Sequence, residues 1–239
     1  MHSTTLAATI AANLERLRAS VADAAHRAGR RPEDVKLVAV SKTQPAAAVA
    51  AAIAAGQRVF GENTVQDALA KIPQFTGHGL EWHFIGHLQS NKARFIPGNF
   101  TWVHSLDGVK IAQRLARLAQ EQCVTVNALI EVNITRDPAK HGAAPDDIAP
   151  LLEQLLKTNL NGIHLRGLMA IGPYPATGSE RHAHFATLRT LRDDCAQRFA
   201  LPDFTELSMG MSGDFAEAIQ EGSTLIRIGT AIFGDRNYS

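Results

Sequence analysis

Leu37-Val38-Ala39-Val40-Ser41-Lys42-Thr43 is a short, β-branched run that closes on a lysine. Side chains alternate across a strand with period two, so Val38, Val40 and Lys42 share one face. An ammonium in line with two buried valines is costly unless it is paired, deprotonated or covalently modified. A desolvated lysine with a lowered pKa is what Schiff-base chemistry with an aldehyde requires. The competing reading is a lysine that reaches from the strand end into water.

The run is the first of eight. Strand-like segments fall near 36–41, 57–60, 81–85, 100–104, 126–132, 163–169, 204–207 and 224–228. Helical stretches fall between them, near 45–55, 63–72, 89–96, 108–121, 146–158, 180–199 and 213–220. Ahead of all of them, Leu6, Ile10, Leu14, Leu17 and Val21 recur at helical spacing, and that helix stops near Gly29 before Pro32. Pro45, Pro145 and Asp107 stand where helices start. Strands rich in Val, Ile and Leu, separated by helices, predict parallel pairing through crossover connections. An open doubly wound sheet would carry a glycine-rich turn after its first strand, and Ser41-Lys42-Thr43-Gln44-Pro45 is not one. The expected fold is α/β: a single (β/α)8 TIM barrel over 1–239 with an additional N-terminal helix.

Composition narrows the function. With 45% hydrophobic and 20% charged residues the chain can bury a full core. Its 24 basic and 23 acidic residues give no field to recruit nucleic acid or an anionic membrane. Cys123 and Cys195 lie far apart without metal spacing, which fits a reducing compartment. The N-terminus lacks the layout of a signal peptide, and no apolar run reaches membrane-spanning length. A soluble, cytoplasmic protein is expected, with no nucleic-acid or membrane partner.

In a barrel, function collects at the carboxyl ends of the strands. Polar residues gather there at nearly every strand: Lys42, Glu62-Asn63, His83 and His87, His104-Ser105, Glu131 and Asn133, the stretch Ser208 to Asp214, and Arg227 to Thr230, while strand six ends in Met169 to Gly172. Ser212 precedes a helix, so its hydroxyl and the following N–H groups can face an anion. Gly229-Thr230 adds backbone donors and a hydroxyl after strand eight, where barrels place phosphates. Ser212 can equally be an ordinary helix cap, and Gly229 a tight turn.

Arg227 is a charge inside an apolar strand. It is either one half of a buried ion pair with Glu206 or Glu131, or a donor to the ring nitrogen of pyridoxal phosphate. Arginine offers only donors, so it would hold that nitrogen unprotonated, which weakens the ring as an electron sink. His83 and His87 span a strand end and a glycine, which is not metal-ligand spacing. His182 and His184 face different ways on a helix whose core stripe is Phe185, Leu188 and Leu191.

Taken in order, several motifs together resemble the pyridoxal-phosphate homeostasis proteins. They are Val40-Ser41-Lys42-Thr43, Gly61-Glu62-Asn63, Trp82-His83-Phe84-Ile85-Gly86 with Leu88-Gln89-Ser90-Asn91-Lys92, Ser208-Met209-Gly210-Met211-Ser212, and Arg227-Ile228-Gly229-Thr230. The match runs from Val38 to Arg236. The resemblance implies a barrel like the N-terminal domain of alanine racemase. It places the cofactor aldehyde on Lys42 as an aldimine and the phosphate near Ser212, Gly229 and Thr230. The ring nitrogen then falls by Arg227, and Asn63 near the ring substituents. The expected cofactor-binding set is Lys42, Asn63, His83, Met169, Ser208, Ser212, Arg227, Gly229 and Thr230, with no catalytic and no metal-ligating residue. His87 stands where proline is also frequent, and Lys140-His141-Gly142 replaces a Lys-Ser-Gly stretch. Lys140 is then either a second, exposed cofactor lysine or a plain surface one.

The function implied is storage, buffering or delivery of pyridoxal 5′-phosphate, by a monomer whose recipients are apo pyridoxal-phosphate enzymes. The rival is an amino-acid racemase or decarboxylase of the alanine racemase fold. Two-base racemisation needs a second acid/base opposite the lysine, which racemases draw as a tyrosine from an added β-domain. This chain's two tyrosines are Tyr174 and Tyr238. A third reading, an aldolase using Lys42 without cofactor, leaves Arg227 unexplained.

Overall fold

All eight β-branched runs form strands. The computed structural model describes residues 2–234, so Arg236 and Tyr238 lie outside the described residues. The strands are β1 Lys36–Val40, β2 Val59–Glu62, β3 Glu81–Phe84, β4 Trp102–Leu106, β5 Val126–Glu131, β6 Ile163–Met169, β7 Glu206–Ser208 and β8 Leu225–Ile228. They pair in chain order, and β8 returns to β1 to close the barrel. Every pairing is parallel, and the closing pair sets Val38 beside Arg227.

The helices are α1 His2–Arg27, α2 Ala46–Ala54, α3 Val65–Lys71, α4 Val109–Glu121, α5 Ile148–Leu156, α6 Gly178–Arg198, α7 Phe215–Gln220 and α8 Thr230–Phe233. The stripe Ile10, Leu14, Leu17 and Val21 is buried, as its spacing predicts, and lays α1 against α2, α7 and α8. Asn13 Nδ2 donates to the Ile232 carbonyl at 2.9 Å, and Arg30 donates to Ile219 and Ser223 carbonyls at 3.0 and 2.7 Å. The N-terminal helix thus seals the seam where β8 meets β1. None of the helices among the described residues is long and apolar enough to cross a membrane.

Inside the barrel, Val38, Trp102, Leu129, Met169 and Leu225 form a small cluster separate from the main core. These residues mark the inward face of their strands, so Val40 and Lys42 continue the inward series from Val38.

Two local expectations need correction. The stretch 89–96 holds only a 3-10 turn, Ala93–Phe95, because Gln89-Ser90-Asn91 competes for backbone hydrogen bonds and Pro97 disfavours helix at Ile96. Asp107 does not cap α4, whose N-cap is Gly108; its carboxylate instead lies 3.5 Å from His87 Nδ1. A further short helix, α8, follows β8; its four residues are too few for a periodic signal.

Candidate functional site

β1 delivers Lys42 two residues past its end, and a buried ionic cluster fixes the turn that carries it. Ser41 is fully buried and its hydroxyl donates to Glu62 Oε1 at 2.6 Å. Lys71 Nζ donates to the Ser41 carbonyl at 2.7 Å and pairs with Glu62 at 2.9 Å and Asp67 at 3.1 Å. Thr43, on the other side of Lys42, sits at φ 64, a strained conformation for a β-branched residue. The Asp67 carboxylate holds it there by accepting its N–H at 2.8 Å. Burial pushes the Glu62 carboxyl above its ordinary range, against the hydrogen bonds from Ser41 and Lys71.

Lys42 opens onto a cavity of about 520 Å³ at the carboxyl ends of the strands, a size ordinary for a cofactor site. Its walls include Val40, Lys42, Asn63, Ile85, Glu131, Ser212, Gly213, Asp214, Arg227, Gly229 and Thr230. Asn63 reaches the wall because residue 86 is glycine: a Cβ there would fall 2.0 Å from the Asn63 carbonyl oxygen. Ser212 and Thr230 meet across the cavity edge, with the Thr230 hydroxyl donating to Ser212 Oγ at 3.0 Å. The Ala231 N–H also points to that oxygen, at 3.4 Å. Ser212 is therefore not the cap of α7, whose N-cap is Asp214; it sits at the start of α8.

Arg227 is 6% exposed and lies in the cavity wall. It donates through one terminal nitrogen to Ser208 Oγ and through the other to the Ala170 carbonyl at 3.0 Å. Burial lowers its pKa to about 10, against the fields of Asp214 and Glu131. Among the described residues Arg227 has no ion pair with Glu206 or Glu131. Glu206 instead accepts from the Thr224 hydroxyl at 2.5 Å.

Of the nine residues in the expected cofactor-binding set, six are brought together on the cavity wall: Lys42, Asn63, Ser212, Arg227, Gly229 and Thr230. His83, Met169 and Ser208 are not among the lining residues. They are buried in the barrel interior below it, Met169 in the inner apolar cluster and Ser208 in contact with Arg227. How deep an inward-facing residue lies depends on strand stagger.

Glu131, at the carboxyl end of β5 but outside the expected cofactor-binding set, also lies in the cavity wall. Its residue is 8% exposed, Oε2 is buried without a hydrogen-bond partner, and burial pushes the carboxyl up. An acid closing the apolar run Ala128-Leu129-Ile130 was the available signal. At the mouth, His87 and His141 stack with ring centroids 3.9 Å apart, and Tyr174 is 89% exposed. Lys140 lines a smaller adjoining hollow with Glu131, Asn133 and His141. Among the described residues, no three His, Cys, Asp or Glu side chains could hold a metal.

The donor set suits a planar, anionic ligand carrying an aldehyde: one lysine, two hydroxyls beside a helix start, and an arginine with donors only. The chain matches the family described as alanine racemase, N-terminal domain, over residues 12–237. It is 47% identical over 230 residues to the pyridoxal phosphate homeostasis protein of Pseudomonas aeruginosa, covering 96% of this chain and 97% of that one. PipY of Synechococcus elongatus, solved with PLP bound, is 42% identical with a TM-score of 0.83, covering 94% of this chain and all of that one. The alanine racemase of Corynebacterium glutamicum is 16% identical with a TM-score of 0.68, a likeness of fold that covers 62% of that enzyme.

Proposed function

Because this chain belongs to the alanine racemase N-terminal domain family, among the pyridoxal phosphate homeostasis proteins, we propose that it binds pyridoxal 5′-phosphate and stores, buffers or delivers it. The observation that carries the proposal is the meeting of Lys42, Arg227 and the Ser212–Thr230 hydroxyl pair on one cavity. When bound, the group supplies an aldehyde carbon open to amines and a pyridine nitrogen able to accept a hydrogen bond. Lys42 supplies the amine, held in place by the Lys71–Glu62–Asp67 cluster. Ser212, Thr230 and the backbone at Gly229 would receive the phosphate, Arg227 would donate to the ring nitrogen, and Asn63 would meet the ring substituents.

The reading as a carrier rests on the mouth of the cavity. Catalysis with this cofactor needs water excluded and acid/base groups fixed on both faces of the substrate. The tyrosine at this mouth, Tyr174, is 89% exposed. A racemase or decarboxylase is the second reading, favoured only by Tyr174 lining the mouth. The protein is proposed to act as a single-barrel monomer in the cytoplasm, with apo pyridoxal-phosphate enzymes as recipients. Transfer of cofactor from the loaded protein to an apo-enzyme, beside turnover assays on D- and L-amino acids, tests both readings. Racemisation or decarboxylation at about 1 per second or faster, lost in Lys42→Ala, would replace the first with the second.

A further inference from the structure

Below the cavity, a column of polar side chains crosses the barrel interior. Ser208 Oγ lies 2.8 Å from His104 Nδ1, His104 Nε2 lies 2.8 Å from His83 Nδ1, and His83 Nε2 lies 2.6 Å from Glu81 Oε1. Arg227 stands above it, bonded to Ser208, and Lys36 below it, 2.8 Å from the same Glu81 oxygen. Ser208, His83 and His104 are fully buried. Burying so many polar groups is costly unless each is satisfied, and here each is.

We infer that Ser208, His104, His83 and Glu81 form a one-way hydrogen-bond relay that positions Arg227. The inference rests on the reading above, in which Arg227 meets the cofactor ring. The direction follows from the two ends. Arginine has donors only, so Ser208 Oγ accepts from Arg227, and with His104 neutral and protonated on Nε2 it gives its own proton to His104 Nδ1. His104 then carries its proton on Nε2 and donates it to His83 Nδ1. His83 in turn carries its proton on Nε2 and donates to the Glu81 carboxylate. With both rings neutral and Glu81 ionised, so that it only accepts, no other arrangement satisfies every contact. A second proton on either ring would reverse the links between that ring and Ser208, and burial opposes it.

The surroundings hold this state. Burial pushes both imidazoles down, and the charges of Lys36 and Arg227 at the two ends oppose a third cation between them. Burial would raise the Glu81 carboxyl, but hydrogen bonds from His83 and Lys36 outweigh it and hold it at about 2. Trp102 stacks on His83 with centroids 5.4 Å apart and fixes the ring plane. Arg227, which lines the cavity, is thereby tied at both terminal nitrogens, to the relay and to Ala170. Sequence reading placed His83 and Ser208 against the cofactor; they act on it through Arg227.

The test begins with nitrogen-15 NMR of the ring nitrogens in the wild-type apo protein. The relay requires both His83 and His104 neutral with the proton on Nε2, and unchanged as the pH passes the ordinary histidine value of about 6.5. A proton on Nδ1 of either ring, or titration of both like surface histidines, overturns the relay. His104→Leu breaks the column, whereas His104→Gln keeps it, because the amide oxygen accepts from Ser208 and the amide N–H2 donates to His83. The Arg227 Nε–H signal, followed in apo protein, should move in His104→Leu and return in His104→Gln. The same signal in both variants and wild type overturns positioning. In loaded protein, pyridoxal phosphate affinity should fall about tenfold or more in His104→Leu, the loss of one charge-assisted hydrogen bond, and recover in His104→Gln. If the apo signals behave as required but the wild type takes up no cofactor, the relay stands and the functional reading fails.

Discussion

Lys71 Nζ lies 2.7 Å from the carbonyl oxygen of Ser41, one peptide unit before Lys42. A buried side chain on α3 therefore sets the direction in which β1 hands over its terminal lysine. Lys71 also neutralises Glu62, whose side chain is wholly out of solvent. Removing one partner of such a pair leaves a buried charge exposed to nothing but protein.

Lys71→Met should accordingly cost roughly 3–5 kcal/mol of stability, read from the urea midpoint and slope. Adding Glu62→Gln to Lys71→Met should recover much of that loss, because the stranded carboxylate is gone. A double variant as unstable as the single one would show that the pair is not what holds this turn.

The phosphate cradle makes a separate prediction. If Ser212, Thr230 and the adjacent backbone receive the phosphate, the protein should prefer pyridoxal phosphate to pyridoxal by about a hundredfold or more, each charge-assisted bond being worth roughly 1.5–3 kcal/mol. Ser212→Ala should narrow the ratio by about tenfold. Equilibrium dialysis of both ligands measures it, and an unchanged ratio in the variant would remove Ser212 from the cradle.

Stability should depend on pH in a stated direction. His83 and His104 are pushed down by burial, so the unfolded chain binds protons that the folded one does not. Their contribution is complete above about pH 6.5 and is lost as the pH falls below it. Glu81, held at about 2, adds a second loss between its ordinary value of 4.5 and about 2. Glu62, Glu131 and Asp214 act oppositely: burial raises them, so their share is present at low pH and lost as the pH rises through the raised values. Urea midpoints should decline from about pH 7 to about pH 5. A midpoint that rises over that interval would mean that the carboxyls outweigh the histidines.

Gly86→Ala tests how Asn63 reaches the cavity. A Cβ at residue 86 would lie 2.0 Å from the Asn63 carbonyl oxygen, so backbone must move. The variant should lose about 1–3 kcal/mol or more and bind cofactor more weakly. Wild-type binding in a destabilised variant would separate Asn63 from the site.

Strand count, barrel closure and the inward face of β1 were legible in the sequence because period-two alternation and crossover spacing are local signals. Depth along the barrel axis was not. His83 and Arg227 both lie on inward faces, yet one ends inside the column and the other on the cavity wall. That difference is set by the stagger between strands, which no single strand encodes. The helix that starts beside Ser212 was not legible for a similar reason: Thr230, which opens α8 and bonds Ser212, is eighteen residues away. The stretch 89–96 failed as a helix because its polar residues offer the backbone other partners.

Lys42 as the site of cofactor attachment is tested most directly by borohydride reduction of the loaded protein followed by peptide mapping. The reduced cofactor mass should appear on the peptide containing Lys42, at one lysine, and vanish from the map of Lys42→Ala. The same mass on Lys92, Lys110 or Lys140 in the wild-type protein, with Lys42 unmodified, would contradict the assignment.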